Sequence, residues 1–384
     1  MRLALQLAWK QLSSHRIKLI TGVTGVVFAC VLIFAQLGFK GALFDSATAV
    51  QSGMSGDLFL LHHNTNTLMQ PHMFARARLQ QALMAPDVTA ASGIYVGMAS
   101  WKNPWNHTRR MIYAFGVDPV SVPIDFQGLR EQLPKLRQDD VALFDVRSRP
   151  EFGDVGAGLK HQSAVPVEVN DRSLQVKGTF ALGVGFAADG NMMVSANTFM
   201  RLFPDRGFHA VDIGVLSLRP GADPLLTQRQ LAKILAPEIR VLTHAEFVKI
   251  ERDYWEQATP IGAIFSLGVV MGLIVGVVVV YQVLYTEIAN HLSEYATLKA
   301  IGYSNGFLVR VVLAAGLILA VLGYIPSLLA ALSLYAVVEH VAFLKIAMPW
   351  SRVLGVLVLT ISMCLISAFL AVRRLRAADP ADVF

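Results

Sequence analysis

The sequence lacks the short motifs by which many enzymes and metalloproteins are recognised. It contains no GxxxxGKS or GxxxxGKT phosphate loop and no HExxH zinc helix. The adjacent residues His62 and His63 are a poor metal site, because neighbouring side chains on a strand point to opposite faces. We therefore predict no catalytic residues, no metal site and no cofactor in this chain. Any ATP on which the protein depends must then be bound by another polypeptide.

Cysteine is scarce as well. The 384 residues include 2 cysteines, Cys30 and Cys364, and both lie in long apolar runs. The chain between those runs therefore has no disulfide. A domain of about 200 residues buries enough apolar surface to fold without one, so this scarcity does not identify the cellular compartment.

Charge is absent from four stretches, residues 19–39, 258–286, 311–338 and 353–372. About 20 apolar residues in a helix span the ~30 Å hydrocarbon core of a bilayer, so each stretch predicts a transmembrane helix. One stretch is near the N-terminus and three are crowded into the last third of the chain. The absence of a central Asp, Glu or Lys disfavours a proton-coupled transporter.

The basic residues predict which side of the membrane each loop occupies. Residues 40–256 contain 22 Lys and Arg against 22 Asp and Glu, so the net charge of +6 comes from the remaining 11 basic and 5 acidic residues. All but Lys345 and Arg352 of those basic residues lie before the first span, between the second and third, or after the fourth. Loops rich in Lys and Arg stay cytoplasmic. We predict cytoplasmic termini, an external large domain and no nucleic-acid partner.

The predicted fold class is an α-helical membrane protein with four transmembrane helices, one plus three, and a large α/β domain inserted between helices 1 and 2. The predicted segments are a cytoplasmic N-terminal segment (1–18), helix 1 (19–39), the external domain (40–257), helix 2 (258–286), a cytoplasmic coupling loop (287–310), helix 3 (311–338), a short external loop (339–352), helix 4 (353–372) and a cytoplasmic tail (373–384).

The first stretch also allows a second interpretation, a cleaved signal peptide. Ala47, Thr48 and Ala49 have the small-x-small pattern of a cleavage site. The apolar run of 21 residues is longer than the apolar region of a signal peptide, which has ~7–15 residues. The triplet also lies well beyond the end of the run. We therefore favour an uncleaved membrane anchor.

The second stretch is preceded by a capping box, Thr243 to Glu246, and by Pro260. The proline either lies early in a new helical segment or kinks a continuous helix, and both alternatives predict a short, rigid connection to the external domain. Within the stretch, Gly268, Gly272 and Gly276 recur every four residues and predict close helix packing. Packing inside one subunit and a dimer interface explain this spacing equally well.

The external domain has the pattern of a mixed α/β fold. Short runs of strand type occur at residues 57–62, 93–98, 110–115, 141–145 and 211–218, and residues 165–168 and 174–180 flank Asn170 and Asp171 as in a hairpin. Residues 74–84 and 224–235 have helical periodicity. The loop WKNPWNH carries Trp101 and Trp105, which either contact a partner protein or cover the domain's own core.

The loop between the second and third spans, EIANHLSEYATLKAIGYSNG, predicts a short amphipathic helix that ends at Gly302. Its apolar stripe is Ile288, Leu292, Tyr295, Leu298 and Ile301. Because the segment has no basic cluster, docking in a groove of another protein is favoured over binding to lipid.

The same loop carries a resemblance to a known family. EYATLKAIGYSN resembles the loop that contacts the ATPase subunit in the FtsX and MacB branch of ABC transporter permeases, and RRLRAADPADVF resembles the C-terminal tail of that branch. Along nearly the whole chain, QLGFKGALFDSA, WKNPWN, LFDVRSRPEFG, YWEQATPIG, VYQVLYTEI, HLSEYATLKAIGYSN and DPADVF are similar, in order, to the DevC-type permeases. The resemblance implies that the ATPase subunit is contacted by Glu294, Tyr295, Ala296, Thr297, Leu298, Lys299, Ala300, Ile301 and Gly302.

The resemblance further implies a dimeric permease in the bacterial inner membrane with a periplasmic large domain. Its expected partners are an ABC ATPase that binds ATP and Mg²⁺, a periplasmic membrane-fusion adaptor and a TolC-type outer-membrane channel. The expected activity is mechanotransmission that exports a glycolipid or a related amphiphile, with Trp101 and Trp105 as candidate adaptor contacts. Two alternatives stay open: a transmembrane regulator of a cell-wall hydrolase or sensor kinase, and a lipoprotein-release permease.

Overall fold

The chain forms two compact units in a computed structural model that describes residues 2–14, 16–185, 188–342 and 344–377. Residues Met1–Ala42 and Ile261–Phe384 form one unit, which we call the membrane unit. Residues Leu43–Pro260 form the other, which we call the large unit.

The helices are α1 (Arg2–Ser14), α2 (Arg16–Ala47), α3 (Ala49–Ser52), α4 (Ala77–Ala82), α5 (Val155–His161), α6 (Ala196–Leu202), α7 (Pro224–Ile234), α8 (His244–Asp253), α9 (Ile261–Asn290), α10 (Leu292–Ala300), α11 (Asn305–Ala342) and α12 (Trp350–Ala377). The strands are β1 (Leu58–His62), β2 (Phe74–Ala75), β3 (Val88–Lys102), β4 (Arg109–Val117), β5 (Val141–Asp145), β6 (Val165–Val169), β7 (Arg172–Phe180), β8 (Asn191–Ser195), β9 (Ala210–Val211), β10 (Ile213–Leu218) and β11 (Ile239–Thr243).

Within the described residues, four helices are long and apolar enough to cross a membrane. They cover Arg16–Ala47, Ile261–Asn290, Gly306–Val341 and Trp350–Arg373. The predicted one-plus-three order is confirmed, and an α/β unit lies in the chain between the first and second of these helices. The helices extend beyond the apolar stretches because helical hydrogen bonding continues through polar residues, whereas the sequence criterion stopped at the first charge.

Glycines allow the membrane helices to approach each other closely. A Cβ added at Gly272 would lie 3.0 Å from Ile33 Cγ1 of α2, and one added at Gly276 would lie 2.9 Å from Ala29 Cβ. A Cβ at Gly323 of α11 would lie 2.6 Å from Val26 Cβ. The predicted packing role of the glycine stripe on α9 therefore operates inside one subunit, which is one of the two alternatives left by the sequence.

The large unit, over its described residues, contains a nine-stranded sheet in the order β11-β1-β10-β3-β4-β8-β5-β7-β6, and the pair β2-β9. Strand β3 belongs to two parts of this sheet. Residues Val88 to Ile94 pair with β10, residues Tyr95 to Lys102 pair with β4, and Trp101 and Lys102 also pair with β6. Because β6 returns to β3, the strands β3, β4, β8, β5, β7 and β6 close into a barrel.

Strand β1 shows why the sequences of several strands are continuous apolar runs. Leu58 and Leu60 belong to one hydrophobic core cluster, whereas Phe59 and Leu61 belong to another. Both faces of the strand are therefore covered, and alternation of polar and apolar residues is lost.

Most of the predicted elements of the large unit are confirmed, and one is partly wrong. Asn170 and Asp171 adopt φ angles of 47° and 60° in the two-residue turn between β6 and β7, as a tight hairpin requires. The helix predicted over residues 74–84 is shorter, because Phe74 and Ala75 pair with β9 and only Ala77–Ala82 is helical. Pairing with a distant strand overrides the local helical pattern there.

The capping box is confirmed: Thr243 is the N-cap, α8 begins at the next residue, and Glu246 is the third residue of the helix. Helix α8 ends at Asp253, a π-helix follows at Tyr254–Ala258, and Thr259 is extended. Helix α9 begins after Pro260. Of the two alternatives for this proline, a new helical segment is confirmed, because the residue before a proline is biased away from helical geometry.

Candidate functional site

The predicted amphipathic helix of the coupling loop is α10. Gly302 follows it with φ 104°, a conformation that favours glycine. Tyr303 N–H donates to Leu298 C=O at 3.1 Å and Ile301 N–H donates to Thr297 C=O at 3.0 Å, which is a Schellman-type helix end. The predicted end of the helix at Gly302 is confirmed.

Most of the predicted apolar stripe packs against its own chain, which corrects the expectation that the whole stripe docks in a partner. Ile288, at the end of α9, and Tyr295 of α10 are buried in a hydrophobic cluster with residues of α1 and α11, and Leu298 packs against the same cluster. Periodicity identifies an apolar face but not what covers that face. Tyr295 and Leu298 are therefore not available on the outward side.

The outward side of α10 and its following turn carries other residues of the predicted ATPase contact. Glu294, Thr297, Ala300 and Gly302 are exposed, and Ile301 is 71% exposed. The side chains of Ala296 and Lys299 lie outside the described residues. The ATPase contact itself stays a prediction, now for this outward surface.

Polar groups connect α10 to α1. The Tyr295 hydroxyl donates to Gln11 Oε1 at 3.0 Å, and Gln11 Nε2 donates to Glu294 Oε2 at 3.3 Å. His291 places Nδ1 3.0 Å from Glu294 Oε1 and Nε2 3.2 Å from Glu287 Oε1. The hydrogen bond with His291 lowers the pKa of Glu294, and burial raises the pKa of Tyr295 to about 12.

The role of Gln11 was not predicted from the sequence. Ala4, Ala8 and Leu12 are buried on one side of α1, and Gln11 is 7% exposed among them. A single polar residue on an otherwise apolar helix face is the signal that was available.

The two tryptophans of the WKNPWNH loop have different environments. Trp101 is fully buried, and its Nε1 donates to Phe152 C=O at 3.1 Å. This residue belongs to the core, which is the alternative that the sequence left open. Trp105 is 52% exposed, and its ring lies over Gly153, where an added Cβ would be 2.4 Å from ring carbon Cε3. An adaptor contact at Trp105 stays a prediction.

Glu251 on α8 is a buried carboxylate, 3% exposed. It accepts hydrogen bonds from Gln51 Nε2 at 2.8 Å, Thr67 Oγ1 at 2.8 Å, Leu68 N–H at 2.9 Å and Trp255 Nε1 at 2.9 Å. Burial raises the pKa of Glu251, and these donors act in the opposite direction. Within the large unit, the carboxylate joins the segment that follows α2 to the segment that precedes α9.

No arrangement typical of catalysis or metal binding was found in the parts of the chain that the structure describes. Groups of three or more His, Cys, Asp or Glu placed to hold a metal ion are absent there. Residues 302–306, GYSNG, have the spacing of a GxSxG nucleophile elbow, but this elbow needs a strand before it, and the helix α10 precedes the segment here.

Residues 266–380 match the family model of the FtsX-like permease C-terminal domain. Over these residues the match confirms the resemblance to FtsX-like permeases, and the chain is a multi-pass membrane protein whose C-terminal part has an FtsX-like permease domain. The narrower resemblance to DevC-type permeases stays a prediction. No significant match was found among curated proteins.

Two solved structures are similar to about half of the chain, and both have low sequence identity to it. One is the periplasmic region of MacB from Actinobacillus actinomycetemcomitans, 7% identical, with 50% of this chain and 92% of that chain covered and a TM-score of 0.36. The other is the extracellular domain of the ABC-type transporter YknZ from Gram-positive bacteria, 12% identical, with 49% of this chain and 99% of that chain covered and a TM-score of 0.34.

Proposed function

We propose that the chain is the permease subunit of an ATP-driven exporter that works by mechanotransmission. The observation that carries this proposal is the outward surface of α10 within an FtsX-like permease domain, where exposed Ile301 and Glu294 offer an apolar and a charged contact. The sequence contains no phosphate loop of its own. ATP and Mg²⁺ are then bound by a separate ABC ATPase, and this chain is not itself an enzyme.

The large unit has the role of recognition in this proposal. Residues 40–256, which contain nearly all of this unit, carry 22 basic and 22 acidic residues, so its formal charge is close to balanced. We propose that it is periplasmic and binds a membrane-fusion adaptor, which leads to a TolC-type channel. The permease is a homodimer in the bacterial inner membrane with both termini in the cytoplasm, and the exported substrate is a glycolipid or a related amphiphile.

Two other functions use the same machinery: activation of a cell-wall hydrolase or sensor kinase, and release of lipoproteins. The neighbouring genes distinguish these two functions from export. An adaptor gene supports export, a hydrolase or kinase gene supports regulation, and a soluble lipoprotein carrier without an adaptor supports lipoprotein release.

Copurification with the ABC ATPase encoded beside this chain tests the function, and Ile301→Asp tests the docking surface. We expect the wild-type complex to hydrolyse ATP faster than the ATPase alone. In the Ile301→Asp variant, a charge without a partner enters the contact, and we expect affinity for the ATPase to fall by about tenfold or more.

Val120→Asp is the matched control, since Val120 is 79% exposed in the large unit. It should leave binding of the ATPase unchanged. A substitution at Leu298 would not separate docking from folding, because Leu298 packs against its own chain. Failure of any ATPase to copurify with the wild type would refute the function, whereas normal coupling in Ile301→Asp would refute the surface.

Trp105→Ala tests the adaptor contact. Removal of a half-exposed tryptophan is expected to weaken adaptor binding by about tenfold or more, because tryptophans often dominate interface energies. The melting temperature of the large unit should change by only a few degrees. Trp101→Ala is the contrasting variant: loss of a fully buried tryptophan should cost about 3–5 kcal/mol of stability. Unchanged adaptor binding in Trp105→Ala would move the contact to another loop.

A further inference from the structure

Gln11 is the point at which the N-terminal helix α1 is tied to α10. Both polar atoms of its side chain are used: Oε1 accepts from the Tyr295 hydroxyl and Nε2 donates to Glu294 Oε2. Gln11 is 7% exposed and Tyr295 is 6% exposed, so water is largely excluded from the bond between these two side chains, whereas Glu294 is exposed. A buried polar group that loses its partner is costly, so the two hydrogen bonds hold the helices together.

The geometry constrains α10 in more than one direction. Glu294 and Tyr295 are consecutive, and consecutive side chains on an α-helix are ~100° apart around its axis. One amide that bonds to both side chains therefore opposes rotation of α10, and sliding along its axis breaks at least one of the bonds. The phenol of Tyr295 is protonated at neutral pH and is the donor, since the ordinary tyrosine pKa is about 10 and burial raises the pKa of Tyr295 further, to about 12.

Apolar packing places α1 firmly against the same region. Ala4, Ala8 and Leu12 are buried in one cluster with Tyr295 and Val311. Two of these three side chains are alanines, and small residues permit close approach of helix backbones. Helix α1 ends at Ser14 and α2 begins at Arg16, so the tied helix is adjacent in sequence to the first membrane helix.

We propose that α1 is a brace for α10, and that Gln11 is the positioning residue through which a force on α10 also reaches α2. The inference rests on the proposed function, since it concerns how contact with the ATPase is used. The outward surface at Ile301 receives the partner, whereas Gln11 on the inward side makes α1 and α10 move as one body. Loss of Gln11 then uncouples motion without removing the docking surface.

Gln11→Leu is the first test, with Gln6→Leu as the matched control because Gln6 is exposed on the same helix. The complete permease and its ATPase are purified together. We expect Gln11→Leu to keep its affinity for the ATPase within about twofold and its KM for ATP unchanged. The stimulated kcat should fall by about tenfold, the size of effect that loss of a hydrogen bond to a charged group gives. Gln6→Leu should behave as wild type.

An exchange of the two side chains provides a second test that does not depend on the stability of Gln11→Leu. Gln11→Glu alone places a second carboxylate beside Glu294 and should reduce stimulation. Gln11→Glu combined with Glu294→Gln keeps the acceptor for the Tyr295 hydroxyl and restores the bond between positions 11 and 294 with donor and acceptor exchanged, and should recover at least half of the lost kcat. The single variant Glu294→Gln is measured in parallel, because Glu294 also belongs to the outward surface.

The outcomes separate the brace from the proposed function. If the wild type does not bind or stimulate an ATPase, the function is wrong. If the wild type is coupled but Gln11→Leu has the same kcat as Gln6→Leu, or the exchanged pair is no better than Gln11→Glu, the brace is wrong. The melting temperature of Gln11→Leu is measured as well. If partial unfolding of this variant explains its whole loss of kcat, and the exchanged pair does not recover kcat, a positioning role is also contradicted.

Discussion

Replacement of Glu251 by leucine is expected to destabilise the large unit by at least about 3 kcal/mol, because buried donors are left without an acceptor. The carboxylate accepts from Gln51, Thr67, the Leu68 N–H and Trp255, all at 2.8–2.9 Å. Each buried donor that is left without an acceptor lowers the stability by about 1–3 kcal/mol unless water reaches it. The melting temperature of the purified chain measures the effect.

Glu131→Leu is the control for this substitution, since Glu131 is exposed in a loop of the large unit. An exposed replacement away from special features changes stability by only about 0.5 kcal/mol. Equal melting temperatures for Glu251→Leu and Glu131→Leu would show that the buried carboxylate contributes little.

Glu251 also predicts a dependence on pH. Burial raises its pKa in the folded protein, so the folded state binds the proton more tightly than the unfolded chain does. The resulting stability is fully present below the unfolded pKa and is lost as pH rises through the folded pKa. Glu251→Gln does not titrate at this position. We expect the wild type to gain stability relative to Glu251→Gln as pH falls from neutral toward the ordinary glutamate pKa, and a constant difference would contradict this assignment.

Replacement of Gly323 by leucine is expected to disrupt the membrane unit, at a cost of about 1–3 kcal/mol or more. A Cβ at this position would lie 2.6 Å from Val26 Cβ and 2.5 Å from Val26 Cγ1. Valine Cβ is fixed to its backbone, so rotation of the side chain cannot relieve the overlap, and α11 must move away from α2. Thermal unfolding in detergent and the yield of monodisperse protein measure this effect.

Gly355→Leu is the matched control on α12, because nothing lies within 4 Å of a Cβ added there. This variant should retain the yield and melting temperature of the wild type. If Gly323→Leu is equally stable, the approach of α11 to α2 is not as close as the structure indicates.

The features that the sequence predicted well depend on local pattern. Uncharged runs predict membrane helices because the bilayer requires about 20 apolar residues, and the turn at Asn170 and Asp171 is predicted because few residues accept positive φ. The partner of an apolar face is not local. The stripe through Tyr295 packs on α1, and this could not be predicted because Gln11 lies 284 positions away. The same limit applies to Trp101, whose place in the core depends on distant Phe144 and Phe152.

Strand β3 has a consequence for how the large unit unfolds. Its residues up to Ile94 complete the open part of the sheet, and those from Tyr95 onward form a wall of the barrel. Since one continuous strand supplies hydrogen bonds to both parts, neither part can open fully without exposing the backbone amides of the other. We therefore expect the sheet and the barrel to open as one cooperative unit, so that native-state hydrogen exchange along β3 shows one common opening free energy.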